Sequence, residues 1–489
     1  MKKTVNDSRR PTILAPKSVT KPAIKPATNH THKPKSKPAP KPVPKPTPKP
    51  EPEPLIKSFC IVKEDPQQSK ISQPDVNILE NKQDGTIEPL RITPMVLPSG
   101  FSPAQIKTAY NFPAYPALAT PTTTRPIIAV VAAYGYSGSA YGDLKTYCQT
   151  FGIPYPKNGG TLVNARKLPL GMTNNPYFFE WNPTRKISNN SEWTFEMALD
   201  TQTAWSLTQQ PGSGIATNGP HIILFHGASA SASAMLTAVN AAVTMGASVV
   251  SMSFGAGVFI SSFETLFFNN ASANKNVVFV ASSGDYNTSN YPSTSTYVLS
   301  AGGTRLQLNQ DNTRLSEIYW FSRSGNTIID GSGTGKMPMP LTSNPTFNTF
   351  SAVYTNGGNP LTTGTFSKNT PDLSGVAAPS TGYAIYVNRR WYVIGGTSLT
   401  APMFASYLIN VNQNRLNNLK AQLTQLQLMT CLYSQNTQSC LYQIDNTNNG
   451  TPIINNTPDT ITITNGVTYE LYNGLGAILN NLSTQLQNL

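Results

Sequence analysis

The sequence predicts an α/β fold in which helices flank a doubly wound, mostly parallel sheet. Two observations support this prediction: largely apolar runs have the length of strands that are buried on both faces, and stretches with helical patterning separate them. The predicted strands are 125–135, 221–228, 247–255, 276–284 and 296–304, and the predicted helices are 141–152, 191–210, 231–246 and 259–275.

Sheets of this kind bind ligands at the carboxyl ends of their strands. Two of the predicted strands end in SFG at 253–255 and in SSGD at 282–285. We therefore expect chemistry at these two ends, with Ser253 and Gly255 as candidate substrate-binding residues.

A Lys/Pro-rich segment precedes the predicted domain. The formal net charge is +13, and residues 1–60 hold fourteen lysines and arginines against three acids. Recurrent proline removes backbone donors and fixes φ, which favours an extended, solvated chain. We expect a disordered tail at 1–60, a linker at 61–98 and the folded domain at 99–489, so that deletion of residues 1–90 leaves the domain folded.

The distribution of charge and apolar residues limits the partners. Because the positive charge lies mainly in the tail, it gives no reason for the domain to bind nucleic acid, although the tail can contact polyanions. No apolar run reaches the about 18 residues of a membrane-spanning helix, and the N-terminus lacks the apolar core of a secretory signal. No membrane span is expected, and the localisation stays open, with an acidic compartment and a particle-associated location as alternatives.

The stretch GGTSLTAPMFA at 395–405 places Ser398 between a predicted strand and a predicted helix. At such a junction, unpaired amides and the positive end of the helix dipole favour a developing negative charge, as a nucleophile requires. Serine is also a good helix N-cap. The stretch alone leaves both interpretations open.

Carboxyl groups are the candidate acid–base residues. Glu196 and Asp200 lie four residues apart on a predicted helix and project from one face, so their charges favour a shared proton and one raised pKa. This arrangement suits a general base that works in acid. The alternative is a solvated acidic face, which Glu192 fits. Asp285, at the end of a predicted strand, either donates a hydrogen bond to an oxyanion or caps the following turn.

Seven motifs occur in the order typical of the sedolisin, or serine-carboxyl peptidase, family, and residues from about 100 to 489 resemble that family. The resemblance implies a fold similar to subtilisin, with Ser398 as the nucleophile, Glu196 as the base, Asp200 as its orienting partner and Asp285 as the oxyanion stabiliser. The motifs are FSPAQIKTAYNF at 101–112, the helix with Glu196 and Asp200, SMSFG at 251–255, ASSGD at 281–285, YPSTSTYVLSAGGT at 291–304, PDLSGVAAPSTGY at 371–383 and GGTSLTAP at 395–402.

His226 is the alternative base. Its FHGAS context is similar to the His-Gly of subtilisin-like enzymes, but no strand-end Asp-Ser/Thr-Gly occurs upstream. We interpret His226 as a structural histidine whose ring hydrogen bonds are satisfied.

The calcium loop implied by the resemblance is altered. Gln443 stands where the family has the aspartate of Asp-Ile, and Glu470 stands where it has the aspartate of Gly-Trp-Asp. Ile444 still offers a carbonyl oxygen, but one carboxylate ligand is lost. We expect weak calcium binding at Ile444 and Glu470 or none, and no required cofactor.

The sequence therefore predicts a serine-type peptidase that hydrolyses protein or peptide substrates at acidic pH. The alternative is a catalytically inactive sedolisin-like domain that serves as a binding or particle-associated structural protein. The Lys/Pro-rich tail, the shortness of the segment before residue 99 and the altered calcium loop favour that alternative, whereas the complete set of one serine and three acids favours the enzyme. Whether Cys431 and Cys440 form a disulfide is left open.

Overall fold

The structure, a computed structural model, describes residues 53–64, 98–119, 125–169, 175–325, 327–340, 365–444, 460–462 and 467–489. The α-helices in these ranges are α1 (Pro103–Ala109), α2 (Ala140–Thr150), α3 (Ser191–Ser206), α4 (Ala232–Thr244), α5 (Ser261–Ser272), α6 (Thr397–Asn417), α7 (Gln425–Leu432), α8 (Gln435–Gln438) and α9 (Leu482–Asn488).

The β-strands include nine that form one large sheet and thirteen in small sheets of two or three strands, counted over the described ranges. They are β1 (Lys57–Ser58), β2 (Ile61–Glu64), β3 (Ile127–Ala133), β4 (Lys157–Val163), β5 (Tyr177–Asn182), β6 (His221–Gly227), β7 (Val249–Met252), β8 (Phe254–Gly255), β9 (Val278–Ser282), β10 (Leu299–Leu308), β11 (Arg314–Tyr319), β12 (Phe321–Ser324), β13 (Thr327–Gly331), β14 (Gly335–Pro340), β15 (Thr365–Thr370), β16 (Leu373–Val376), β17 (Tyr383–Val387), β18 (Arg390–Gly395), β19 (Leu441–Tyr442), β20 (Thr460–Thr462), β21 (Thr468–Glu470) and β22 (Ala477–Ile478).

The large sheet has the order β11–β10–β9–β7–β3–β6–β5–β4, and β16 also pairs with β10. All of these pairs are parallel except β10 with β11. Every residue of β3, β6, β7 and β9 is buried, as expected for parallel strands that helices cover on both faces. The predicted α/β fold class is confirmed.

Helices α3 and α6 pack against each other beside the sheet. The N-cap residue of α3 is Asn190, whose side chain accepts a hydrogen bond from the Trp193 amide. The N-cap of α6 is Gly396, with φ of +109°, a conformation that a residue with a Cβ rarely adopts. No helix in the described part of the chain has the length and apolar composition needed to cross a bilayer.

The predicted elements correspond to β3, β6, β7 with β8, β9 and β10, and to helices α2 to α5. Strands β4 and β5 were not predicted. The aromatic side chains of Phe178, Phe179 and Trp181 on β5 are buried, but the adjacent Glu180 and Asn182 interrupt the apolar run. A mixed run of this kind gives a weak strand signal by pattern alone.

Residues 53–64, called the cleft segment below, pack against the domain. Strand β1 pairs with β8 and strand β2 pairs with β18, both antiparallel. Ile56 is 4% exposed and Phe59 is 2% exposed. The sequence placed these residues in the tail and the linker, and the structure makes them part of the folded body. Residues 65–97, the rest of the predicted linker, lie outside the described ranges.

The burial of the cleft segment changes the expected effect of N-terminal deletion. Removing residues 1–51 at neutral pH should leave the melting temperature unchanged, whereas removing residues 1–64 should lower it by a few degrees. The reason is that burial of one large apolar side chain contributes about 1.5–3 kcal/mol, and Ile56 and Phe59 are both lost. Differential scanning calorimetry of the two truncated chains checks this expectation. Equal melting temperatures would contradict it.

Candidate active site

Three elements bring the predicted catalytic residues together. Helix α3 carries Glu196 and Asp200, Asp285 follows strand β9, and Ser398 is the second residue of α6. All four side chains are buried, with at most 2% exposure. The solvated-face interpretation of Glu196 and Asp200 is therefore wrong, while Glu192, one turn earlier on α3, is exposed as that interpretation expects.

Ser398 does not cap its helix. The N-cap is Gly396, and no side chain supplies a capping hydrogen bond there. The Ser398 hydroxyl lies 3.5 Å from the carbonyl oxygen of Ser253, and its nearness to Glu196 lowers the pKa of that carboxyl, whose Oε1 has no hydrogen-bond partner among the described residues. Because Ser398 is in the first turn, its amide has no partner within the helix and points out of the helix N-terminus. It donates instead to the carbonyl oxygen of Phe59, at 3.2 Å.

Burial dominates the electrostatics of the two acids on α3. Burial raises the pKa of Glu196 to about 8, with a further rise from the charge of Asp285, while hydrogen bonds from Ser398, Cys60 and the Phe59 amide oppose the rise. Burial and the charge of Glu196 raise the pKa of Asp200 well above its ordinary value, and a hydrogen bond from Ser253 opposes that rise. The Ser253 hydroxyl donates to Asp200 Oδ1 at 2.6 Å. The pair therefore holds protons at pH values at which free carboxyls are ionised.

Asp285 has one partnered and one unpartnered carboxyl oxygen. Its Oδ1 accepts hydrogen bonds from the amide and the hydroxyl of Thr397, both at 2.8 Å. Its Oδ2 is buried and has no hydrogen-bond partner among the described residues. Burial raises the pKa of Asp285 to about 7, the Thr397 hydrogen bonds oppose this rise, and the charge of Asp330 adds to it. A protonated Oδ2 is thus a hydrogen-bond donor available to a ligand beside Ser398.

The two candidate substrate-binding residues lie next to this cluster. Ser253 lies between Asp200 and Ser398, because its hydroxyl also lies 3.3 Å from the carbonyl oxygen of Ser398. Gly255 belongs to β8 and pairs with Lys57 of the cleft segment. A Cβ at Gly255 would overlap the ring of Phe59, so the strand and the segment approach closely.

His226 takes part in a different set of contacts. Its Nδ1 lies 2.7 Å from the carbonyl oxygen of Tyr134, and its Nε2 lies 3.0 Å from Glu180 Oε2. Both ring nitrogens are therefore engaged, as expected for a structural histidine. The sequence did not identify Thr397, Phe59 or Cys60 as members of the site. Thr397 lies inside the GGTSLTAP motif, but nothing in the pattern of residues 53–64 indicates their burial.

At the expected calcium site, Glu470 and Gln443 already form hydrogen bonds with nearby residues of the chain. Glu470 Oε2 accepts hydrogen bonds from the amide and the side chain of Asn473, at 2.7 and 2.8 Å, and Gln443 donates to the carbonyl oxygen of Leu475 at 3.2 Å. Ile444 is buried, and Asp445 lies outside the described ranges. A donor at Gln443 and a carboxylate oxygen already bonded twice do not fit a cation that needs six to eight oxygens. Weak calcium binding or none remains a prediction.

Within the ranges given above, no group of three or more histidine, cysteine or acidic side chains could hold a metal ion. Cys431 and Cys440 are free thiols, and Cys431 Sγ lies 3.5 Å from the hydroxyl of Thr437.

A family model described as "Subtilase family" matches residues 198–456, which is more than half of the chain. The chain belongs to the subtilase family, a family of serine peptidases. The matched span includes Asp200, Asp285 and Ser398 and begins two residues after Glu196.

Two comparisons with individual proteins agree with this membership and confirm the sedolisin resemblance. Kumamolisin from Bacillus sp. (strain MN-32) is 26% identical over 336 residues, which cover 65% of this chain and 53% of kumamolisin. The chain thus spans about half the length of that curated relative. The structure of Pseudomonas sedolisin, a serine-carboxyl proteinase complexed with two molecules of pseudo-iodotyrostatin, is similar in fold. Its TM-score is 0.57 at 18% identity, and the match covers 80% of this chain and 98% of sedolisin.

The raised carboxyl pKa values predict a protein that is more stable in mild acid than in base. Between about pH 5 and pH 8 the folded state keeps protons on Glu196 and Asp285 that the unfolded chain releases, so this stabilisation is full below the ordinary carboxyl pKa and is lost as the pH rises through about 7 to 8. His221 acts in the opposite direction, because burial lowers its pKa to about 4 and its contribution is lost below about pH 6.5.

We therefore expect a higher melting temperature at pH 5.5 than at pH 8.5, by the equivalent of a few kcal/mol. Glu196→Gln should raise the melting temperature at pH 8.5, because the amide carries no charge at either pH. The difference in melting temperature between pH 5.5 and pH 8.5 should therefore be smaller in this variant. The matched control is Glu192→Gln, the same change on the exposed face of α3. If the melting temperature of Glu196→Gln kept the pH dependence of the unmodified chain, or if both variants changed equally, the raised pKa of Glu196 would be contradicted.

Proposed function

We propose that this chain is a serine-carboxyl peptidase that hydrolyses peptide bonds of protein or peptide substrates at acidic pH. The observation that carries the proposal is that Ser398 lies against a buried cluster of carboxyl groups, while both ring nitrogens of His226 are engaged elsewhere. The full set of Ser398, Glu196, Asp200 and Asp285 favours an active enzyme over an inactive domain, because burying acids without a function is costly.

In the proposed reaction, the Ser398 hydroxyl attacks the substrate carbonyl and Glu196 accepts its proton. Asp200 orients Glu196 and shares a proton with it, so that the pair carries one charge instead of two. Glu196 then returns the proton to the leaving amine, and water hydrolyses the acyl-enzyme. Ser253 and Gly255 line the cleft on the side of the acyl group.

The negative charge that develops on the carbonyl oxygen needs donors. The Ser398 amide and a protonated Asp285 Oδ2 are the two proposed donors, and the N-terminus of α6 adds its dipole to the same place. Asp285 can donate only while it holds its proton, so the proposed activity falls as the pH rises toward about 7.

Activity at acidic pH also requires that the pair of Glu196 and Asp200 can release one proton. The pKa of Glu196 is raised chiefly by burial, and the cleft segment contributes to that burial by covering the carboxyl. When water or a substrate replaces the segment, the desolvation of Glu196 is smaller and its pKa lies closer to the ordinary carboxyl value. Between about pH 3 and 5, the Glu196 and Asp200 pair can therefore act as an ionised base while Asp285 still holds its proton.

The test is hydrolysis of an unfolded protein across a pH series. We expect the maximum rate between about pH 3 and 5. Glu196→Gln and Ser398→Ala should each lose at least about 1,000-fold in turnover, since each removes a reacting group. His226→Ala, measured on the folded fraction, should keep most of the activity. Glu192→Gln is the matched control for Glu196→Gln and should match the unmodified chain.

Two outcomes would overturn the proposal. An equal loss in His226→Ala together with a neutral or alkaline optimum would identify an imidazole-dependent enzyme. The absence of Ser398-dependent hydrolysis at any pH would identify a catalytically inactive member of the family.

A further inference from the structure

The hairpin of β12 and β13 lies along the loop that carries Asp285. The amide of Gly331, the last residue of β13, donates to the carbonyl oxygen of Asp285 at 2.8 Å, and the Gly331 carbonyl oxygen accepts from the amide of Asn287 at 3.0 Å. These two bonds pair Gly331 with Tyr286 in a parallel bridge. The hairpin is therefore fixed directly beside Asp285, the proposed oxyanion donor.

Further contacts keep the hairpin in this place. The Gly333 amide donates to the carbonyl oxygen of Gly284 at 2.6 Å, and a Cβ at Gly333 would overlap the carbonyl oxygen of Ser283. The hydroxyl of Ser332 accepts a hydrogen bond from the amide of Gly303, on β10, at 2.8 Å. Movement of the hairpin would therefore break bonds both to β10 and to the loop after β9.

This register places Asp330 next to Asp285. Because Gly331 pairs with Tyr286, the residue before Gly331 lies beside Asp285, and paired chains are about 5 Å apart. Burial raises the pKa of Asp285, and the charge of Asp330 raises it further, in agreement with this placement. Oδ1 of Asp330 is buried and, like Oδ2 of Asp285, has no hydrogen-bond partner among the described residues.

No ion pair neutralises Asp330 in the part of the chain that the structure describes. Arg323, a cation on the same hairpin, lies over the ring of Phe321, with its guanidinium carbon 5.2 Å from the ring centroid. The negative charge of Asp330 therefore acts on Asp285 without a compensating partner among these residues.

Two features of α6 favour the ionised form of Asp285. The amide and the hydroxyl of Thr397 donate to Asp285 Oδ1, and these bonds oppose the rise that burial causes in the pKa of Asp285. The positive end of the helix dipole acts in the same direction. An ionised Asp285 cannot donate to an oxyanion, so the proposed reaction needs interactions that keep its proton in place. Burial is one of them, and the charge of Asp330 is the other.

The other titratable groups beside Asp285 do not supply this charge throughout the reaction. Burial, and to a smaller extent the charge of Asp285, raise the pKa values of Cys60 on the cleft segment and of Tyr286, so both stay uncharged. Glu196 on α3 repels a charge on Asp285, but in the proposed reaction it accepts a proton from the nucleophile and loses its own charge as the oxyanion forms. Asp330 takes no part in that proton transfer.

We propose that Asp330 is a positioning residue that acts through Asp285: its carboxylate holds the proton on Asp285 Oδ2 against the pull of Thr397 and α6, and so sets the upper pH limit of peptide hydrolysis. This inference rests on the proposed peptidase function and adds to it a fourth acid, which touches neither the substrate nor the nucleophile. The site then keeps its oxyanion donor at pH values at which Asp285 alone would lose it.

The experiment measures kcat/KM of the full chain between about pH 3 and 9, with internally quenched peptides whose variable positions hold only uncharged residues. The profile then reports the acid and the base of the enzyme and not those of the substrate. In Asp330→Asn the high-pH limb should move down by about one pH unit, because a like charge no longer opposes ionisation of Asp285. At a fixed pH on that limb, this is about a tenfold loss. The low-pH limb, which reports Glu196 and Asp200, should not move.

Two further variants control this measurement. Asp330→Glu keeps the charge and should keep the high-pH limb within about half a pH unit of the unmodified chain. Asp311→Asn is the matched control, the same change at an exposed acid in the turn between β10 and β11, and should give the unmodified profile. A purely structural role for Asp330 would instead lower kcat/KM by the same factor at every pH.

Infrared spectroscopy of the Ser398→Ala chain follows Asp285 itself and needs no catalysis. One part of the carbonyl band of protonated carboxylic acids is removed by Asp285→Asn and therefore belongs to that residue. When Asp330→Asn is also present, this part should disappear about one pH unit lower. The measurement thus tests whether Asp330 acts through Asp285.

The outcomes distinguish this inference from the function on which it rests. Ser398-dependent hydrolysis whose high-pH limb is the same in Asp330→Asn and in the unmodified chain would overturn the inference and leave the peptidase function standing. A shifted limb without a shift of the Asp285 part of the infrared band would also overturn it. An unmodified chain without Ser398-dependent hydrolysis at any pH would overturn both.

Discussion

The burial of three carboxyl groups around one serine is the constraint on which the site depends. Glu196, Asp200 and Asp285 are each no more than 2% exposed, and desolvation is the main cause of the raised pKa of every one of them. Ionising all three would place several like charges in a region of low dielectric, which costs more than keeping protons on them. In the proposed reaction, protons that are retained in this way supply the acid, and the Glu196 and Asp200 pair supplies the base.

The fold meets this constraint by bringing two acids from the interior of α3 and one acid from the end of β9 to the start of α6. The i, i+4 spacing on α3 directs Glu196 and Asp200 toward α6, and the end of β9 brings Asp285 to the first turn of that helix. Gly396 is required between β18 and α6, because Phe59, Cys60 and Asp285 leave no room for a Cβ. The positive end of the α6 dipole then lies where the three acids meet, and it stabilises whichever of them carries a charge.

Much of this arrangement could be predicted from the sequence. The largely apolar runs of β3, β6 and β9 predict buried parallel strands, because strands covered on both faces have apolar residues at nearly every position. The pairing of Glu196 with Asp200 follows from helical spacing, and the position of Ser398 follows from the glycine pair before it. The N-cap alternative for Ser398 was wrong because Gly396, with its positive φ, already starts the helix.

The cleft segment could not be predicted in the same way. Residues 53–64 have no periodic apolar pattern, and the prolines that precede them indicate a solvated chain. Their burial depends on two strands far away in sequence, β8 and β18, which supply the backbone partners and the pocket for Phe59. Strand β5 was missed for a related reason, because its position between β4 and β6, and not its mixed composition, determines its conformation.

The most direct measurement of the central constraint is the protonation state of the buried acids. Infrared spectroscopy of the Ser398→Ala chain records the carbonyl stretch of protonated carboxylic acids as the pH rises. The account predicts that this band persists at pH 6, where exposed carboxyls are ionised, that it weakens through about pH 7 to 8, and that adding Asp285→Asn removes part of it. Loss of the whole band below pH 5, with no difference between the two variants, would contradict the account.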